Sequence, residues 1–288
     1  MAKYVIFTDS ACDIKPEMLK EWGVGYENLT FRFDGDDKIY TGEDMEINDF
    51  YQKMRDGGVA KTAAANPEAF ITSFRKILEE GNDILHLGFS SGLSTTYNAS
   101  RIAALQMAEE FPDRKIVVVD TLAASAGQGL LVYLAVKKLE EGATLEENAE
   151  YIKAMIPKLC HWFTVDDLVY LKRGGRISAI SAFAGTMLGI KPVLHVDDEG
   201  HLVNVAKVRG RRTAVTALAD KYGELADDKE NGTVFISHAD CMADVKLLES
   251  ILKERYGASL DVITDVGSVI GAHSGPGTLA LFFVGKNK

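Results

Sequence analysis

Cysteine, proline and tryptophan are scarce in this chain, with three, six and two residues among 288. Cys12, Cys160 and Cys241 are odd in number and far apart. That excludes a disulfide framework and leads us to expect unpaired thiols in a reducing cytoplasm. No pair of Cys or His has the spacing of a zinc site, so a metal-free protein is expected. No run approaches the ~18 apolar residues that span a bilayer. The apolar start of MAKYVIFTDSACD is too short, and too soon followed by acids, to act as a secretory leader. Positive charge is also short: 32 Lys and Arg against 42 Asp and Glu leave a net charge of −10. This argues against nucleic acid, whose binding rests on neutralising phosphates. Neither G-x-x-x-x-G-K-[ST] nor G-x-G-x-x-G after a strand occurs, so no nucleotide and no cofactor is expected.

What is present describes a globular protein: 47% hydrophobic and 26% charged residues, enough chain for two domains of ordinary size or one large one. Strand and helix patterns alternate in the first half. KYVIFTD, NLTFRFD, DILHLGF and KIVVVD read as strands, the last two apolar enough to be covered on both faces. PEMLKEWG and INDFYQKMRDGG read as helices closed by glycine. Asn66-Pro67-Glu68 starts a helix running to about Glu80, another begins near Ser94, and Thr144-Leu145-Glu146-Glu147 is a capping box. From His161 the pattern changes: HWFTVDDLVYL, the glycine turn KRGGR, a small-residue helix ISAISAFAGTMLG, a hairpin KPVLHV-DDEG-HLVNVAKVR, then GTVFISHAD, SLDVITDV and TLALFFVG. We expect an N-terminal α/β domain with a mainly parallel sheet over 1–158 and a C-terminal α/β domain with a mixed sheet over 159–288.

Ligands of open α/β sheets bind beyond the carboxyl ends of strands. Here those ends carry Asp9-Ser10, Phe89-Ser90-Ser91 and Asp120-Thr121, while the loop KTAAANP supplies Thr62 before a helix start. Hydroxyls and backbone N–H groups near helix N-termini suit an anion. Gly88-Phe89-Ser90-Ser91-Gly92 also spells G-x-S-x-G in strand–turn–helix context, and a triad can be drawn from Ser90, Asp240 or Asp265, and His273. No HGGG-type oxyanion loop precedes the serine. The residues alone leave three readings of this segment open: plain turn, anion cradle or nucleophile. Asp9 and Asp13 of DSACD read as turn and cap residues, and His86 as a core residue of its strand. His273, followed by Ser274-Gly275-Pro276-Gly277, sits in a glycine-rich loop where backbone can approach a ligand closely.

Two basic clusters interrupt the acidic chain: Lys172, Arg173 and Arg176 around Gly174-Gly175, and Lys207, Arg209, Arg211 and Arg212 after the hairpin. Concentrated positive charge of this kind suits an anionic ligand or partner surface. Ile177 to Ile190 carries no charge and reads as a buried helix, either as ordinary core or with Ala179, Ala182, Ala184 and Gly185 leaving room lined by Phe183, Met187 and Leu188.

The segments TDSACDI, KTAAANPE, SSGLSTTYNA, VVDTLAASAGQG, YLKRGGRIS, KVRGRR and HSGPGTLALFF, in this order and spacing over nearly the whole chain, resemble the DegV family of fatty-acid-binding proteins. The resemblance implies two α/β domains with a long-chain fatty acid at their junction and its acyl chain buried. It implies that the carboxylate is held by the hydroxyls of Thr62 and Ser91, with His273 nearby and Arg173 at the same entrance. Ile180, Phe183, Ala184, Met187 and Leu188 would line the acyl pocket. It further implies a non-catalytic protein that presents the carboxylate to a separate ATP-dependent fatty acid kinase and carries the acyl phosphate, with an acyltransferase as a possible recipient and transient contact with a membrane surface. Lys172, Arg176, Arg209 and Arg211 would face the kinase. One departure stands out: many relatives have Ser directly after the Thr, where this chain has Ala63.

Overall fold

The computed structural model describes residues 3–177 and 189–288. Its first half runs β1 (Tyr4–Asp9), α1 (Pro16–Glu21), β2 (Gly25–Glu27), β3 (Thr30–Phe33), α2 (Ile47–Arg55), β4 (Ala60–Ala63), α3 (Pro67–Glu79), β5 (Asp83–Gly88), α4 (Thr96–Glu110), β6 (Ile116–Asp120), α5 (Ala126–Glu140) and α6 (Leu145–Met155). The four strands β2-β1-β5-β6 form an all-parallel sheet in that order. Their crossovers are helical, which is what parallel pairing requires. β5 is buried along its whole length, the condition that its unbroken apolar sequence anticipates.

The second half runs β7 (Leu159–Thr164), α7 (Val169–Arg173), β8 (Ile190–Val196), β9 (Leu202–Arg209), α8 (Arg211–Leu225), β10 (Val234–His238), α9 (Met242–Tyr256), β11 (Val262–Asp265), α10 (Ser268–Ser274) and β12 (Leu279–Val284). Its sheet is mixed, ordered β11-β10-β12-β7-β8-β9, with only the β10–β11 pair parallel. The architecture is therefore the expected one: α/β, a parallel sheet first and a mixed sheet second.

Local signals fix the helix starts. Asn66 accepts the Ala69 N–H at 2.9 Å with Pro67 in the first turn, and Thr144 with Glu147 closes the capping box in both directions. Three expectations need revision. Residues Ala60–Ala63 are not loop but β4, paired antiparallel with β3 so that Thr62 lies opposite Phe31. Propensity gives no hint of this, because the partner strand lies about thirty positions back. The segment before the Gly174-Gly175 turn is helical through Arg173, with the turn itself carried by Gly175 at φ 70°. His273 sits not in a glycine loop but in the last turn of α10, which ends one residue later at Ser274 and is capped by Gly275 with φ 81°. The expected small-residue helix, with Ile180, Phe183, Ala184, Met187 and Leu188, lies outside the described residues.

Candidate functional site

The loops that leave β5 and β6 face the inner side of the mixed sheet across a cavity of about 430 Å³. Phe89, Ser91, Leu93, Ser94 and Thr95 come from the β5–α4 turn, Ala124 and Ser125 from the β6–α5 turn, and Thr62 from β4. The second sheet contributes Phe163, Ala280 and Phe282, and α10 contributes Val269, Ile270, His273 and Ser274. The cavity thus lies where a ligand belongs in a parallel sheet, beyond the strand ends.

At its polar mouth, Thr62 Oγ1 and His273 Nε2 stand 2.8 Å apart. Ser91 is exposed and lines the same cavity. Asp120 holds the rim in place by accepting the Ser91 N–H at 3.2 Å and the Leu122 N–H at 3.1 Å. Asp9, fully buried, accepts the Phe89 N–H at 2.9 Å and the Ala11 N–H at 3.1 Å. Burial pushes its carboxyl up to about 6. The rest of the expected hydroxyl rim is committed elsewhere. Ser10 accepts the Leu29 N–H, and Thr121 donates to the Gly88 carbonyl at 2.7 Å.

Arg176 lines the cavity, donating to the Leu93 and Gly174 carbonyls at 3.1 and 2.5 Å. It was expected on a partner-facing surface, whereas Arg173, expected at the entrance, is exposed and lies over the Tyr170 ring outside the lining. Burial, and then the positive charge of Arg176, lowers the His273 imidazole to about 4. At neutral pH the mouth therefore offers a neutral imidazole, two hydroxyls and one guanidinium, a set suited to a single carboxylate. Ala63 supplies no second hydroxyl on β4.

Ser90 is fully buried and donates its hydroxyl to the Gly200 carbonyl at 2.9 Å while accepting the Gly92 N–H at 3.2 Å. A nucleophile needs a base at its hydroxyl. The histidine assigned to that role instead meets Thr62, so the geometry holds no triad at Ser90. His86 is a core residue as expected, and Asp13 is the expected cap, left-handed at φ 52° after the first short turn and buried. In the second basic cluster, Lys207, Arg209 and Arg212 are exposed. Arg211 is turned inward to Asp244 at 3.0 Å and the Gly277 carbonyl at 2.6 Å. Lys172 is exposed.

Sequence reasoning missed Ser94, Thr95, Ser125, His161 and Ser237 as cavity residues. His161 and Ser237 carry the one available signal, a polar residue inside an apolar strand. Among the described residues no helix is long and apolar enough to cross a membrane.

A family model described as "Uncharacterised protein, DegV family" matches residues 3–286. A DegV domain-containing protein of Clostridium perfringens is 41% identical over 290 residues, covering 100% of this chain and 99% of its own. The structure described as showing fatty acid binding of a DegV family protein from Thermus thermophilus superimposes with a TM-score of 0.88 at 31% identity, over 98% of this chain and 99% of that one. A stearic-acid-binding protein from Eubacterium ventriosum gives a TM-score of 0.88 at 28% identity, over 98% of both chains. With the family model spanning almost all of the sequence, this chain belongs to the DegV family.

Proposed function

We propose that this protein binds one long-chain fatty acid, with the acyl chain in the cavity and the carboxylate at Thr62, Ser91, His273 and Arg176. In this reading the ligand lies at the junction of two α/β domains divided near residue 158. The observation that carries it is the graded cavity: half-buried Thr62, His273 and Arg176 with exposed Ser91, opening onto walls of Phe89, Phe163, Val269 and Phe282. Related proteins from Thermus thermophilus and Eubacterium ventriosum, described as binding fatty acids, support it. Burying about 14 methylenes at ~0.8 kcal/mol each contributes on the order of 11 kcal/mol before ordering costs. The apolar wall therefore sets affinity, and the polar mouth sets which end points outward.

The protein itself acts as a carrier and not as an enzyme. It presents the carboxylate to a separate ATP-dependent fatty acid kinase and then holds the acyl phosphate for an acyltransferase. Phosphoryl transfer needs a nucleotide cradle and Mg²⁺, which the partner supplies. A cytoplasmic protein that touches the membrane surface only transiently fits this role.

The test is to purify the protein from bacteria without detergent and analyse an organic extract by mass spectrometry. One equivalent of a long-chain fatty acid is expected. An extract that stays empty after incubation with a fatty-acid mixture would overturn the carrier reading. With kinase and ATP added, Thr62→Ala together with Ser91→Ala should abolish phosphorylation of the bound lipid while leaving the fold intact.

A further inference from the structure

The inner wall of the same cavity holds a second polar patch that carboxylate binding leaves unused. Trp162 of β7 stacks on His195 (5.0 Å between rings, 15° between planes) and packs into the core on the far side of the sheet. Its neighbours His161 and Phe163 therefore point the other way, as strand alternation requires. The register sets them opposite Phe282 and Ala280, and all four line the cavity. His161 is 2% exposed, and neither ring nitrogen has a hydrogen-bond partner among the described residues. Its ring meets Phe282 edge-on at 5.6 Å. A Cβ on Gly127 would lie 2.4 Å from Nε2, so the first turn of α5 carries no side chain where the imidazole sits. Ser125 and Ser237, also lining the cavity, share a 2.9 Å hydrogen bond, and Ser125 lies 2.5 Å from Asp13 Oδ2.

Leaving a buried polar group unpaired is costly. A saturated hydrocarbon chain passing this wall does nothing to recover it. Burial holds the His161 imidazole well below its ordinary pKa, so the ring is neutral, with one N–H and one lone pair. A second carboxylate is a poor partner for a neutral buried ring, because its charge would go unpaired. An alcohol both donates and accepts, and so matches either ring nitrogen and either serine.

We propose that His161, with Ser125 and Ser237, forms a hydroxyl-reading subsite inside the acyl cavity, and that this protein takes long-chain fatty acids hydroxylated along the chain as well as plain ones. This rests on the carrier reading above. The subsite ranks ligands of one length by the position of their hydroxyl group, while the mouth treats them alike.

The experiment measures dissociation constants by displacement of a fluorescent fatty acid. Stearic acid is compared with a set of hydroxystearic acids differing in hydroxyl position, on the parent, His161→Leu and His161→Gln, each checked for an intact thermal transition. In the parent, at least one hydroxystearic acid should bind as tightly as stearic acid or more tightly. In His161→Leu that same acid should fall behind stearic acid by about tenfold, the loss of one good hydrogen bond. His161→Gln, which keeps a donor and an acceptor, should retain the parent ranking and stands in if the leucine variant misfolds. Rejection of every hydroxystearic acid by a parent that binds stearic acid would overturn the subsite alone. So would equal losses for both kinds of ligand in His161→Leu. A parent that binds neither would overturn the carrier reading together with the subsite.

Discussion

Thr62 and His273 stand 211 positions apart in the chain, yet Oγ1 and Nε2 meet at 2.8 Å where β4 passes the end of α10. The contact is made by two elements that are short and local, and each is fixed by something distant. β4 is held by pairing with β3, and α10 is anchored where the Tyr51 hydroxyl donates to the Val266 carbonyl just before it. The mouth of the cavity is thus a junction between both halves of the chain, and its geometry should respond to small changes on either side.

Gly174 provides the sharpest test of that junction. A Cβ there would lie 2.1 Å from His273 Nδ1, although the backbone at φ −72° suits any residue. Gly174→Ala should therefore act by pushing the imidazole off Thr62 and not by straining the turn. We expect about 1–3 kcal/mol of destabilisation and weaker fatty-acid retention. Adding His273→Ala should restore most of the stability without restoring retention. Thermal melts and ligand displacement on the single and double variants check this; a single variant indistinguishable from the parent would show that the ring has room to move.

Ser90 should behave as a structural hydroxyl. Its bond to the Gly200 carbonyl ties the β5–α4 turn to the hairpin between β8 and β9, and a Cβ on Gly200 would lie 2.2 Å from Ser90 Oγ. Ser90→Ala should lower stability by about 1–2 kcal/mol, because a buried carbonyl loses its donor. A fluorophosphonate probe should label neither parent nor variant. Labelling of the parent that disappears in Ser90→Ala would revive the hydrolase reading.

The elements that were legible in the sequence are those governed by local rules: the capped starts at Asn66 and Thr144, the β8–β9 hairpin, and the buried strand β5. The strand-end rule pointed to the β5 turn, whose Ser91 lines the cavity, and Thr62 and His273, grouped by the family resemblance, lie in contact. What stayed hidden depends on partners far away in sequence. β4 is a strand only because β3 pairs with it, and Arg176 faces inward only because the Leu93 carbonyl is there to receive it. Arg211 was grouped with surface charges for the same reason: charge patterning cannot show that Asp244 lies beneath it.

Asp13 should leave a signature in the pH dependence of stability. Its carboxyl is pushed up to about 8, first by burial and less by the charges of Asp265 and Asp9, against the lowering effect of the Ser125 and Gly267 hydrogen bonds. The folded state thus binds a proton that the unfolded state releases near its ordinary value, so the contribution of this group to stability falls as pH rises toward 8. The histidines that burial lowers, His86, His161, His195, His238 and His273, pull the other way. The unfolded state still protonates them at about pH 6.5, so their contribution fades only above about pH 7.5. Asp9, raised only to about 6, has by then largely made its contribution. The histidine contributions are common to the parent and an Asp13 variant, so the stability of the parent relative to the variant isolates Asp13 and should fall by about 1–2 kcal/mol between about pH 6.5 and 8. Asp13→Asn, whose side chain tolerates φ 52°, should lack the falling contribution and show a more positive slope than the parent. Denaturant titrations at several pH values check the slope, and an unchanged slope in the variant would place the raised carboxyl elsewhere.

Arg209 and Arg211 are two positions apart and should fail in opposite ways. Arg211 is held between Asp244 at 3.0 Å, Asp166 at 3.6 Å and the Gly277 carbonyl at 2.6 Å, with its side chain 20% exposed. Removing it leaves a partly buried carboxylate and a carbonyl without their donor, so Arg211→Ala should cost about 1–3 kcal/mol. Arg209, on the exposed end of β9, has no such burden. Arg209→Glu should leave the melting temperature within about 2 °C of the parent, since exposed charges contribute little to stability. If the basic end of the hairpin faces the kinase, the same reversal should slow phosphorylation of bound lipid several-fold at low salt. The difference should shrink as ionic strength rises and screening removes the long-range attraction. Lipid content should be equal in parent and variant, which separates docking from binding. Equal phosphorylation rates at low salt would move the kinase-facing surface away from Arg209 and toward the other exposed cluster at Lys172 and Arg173.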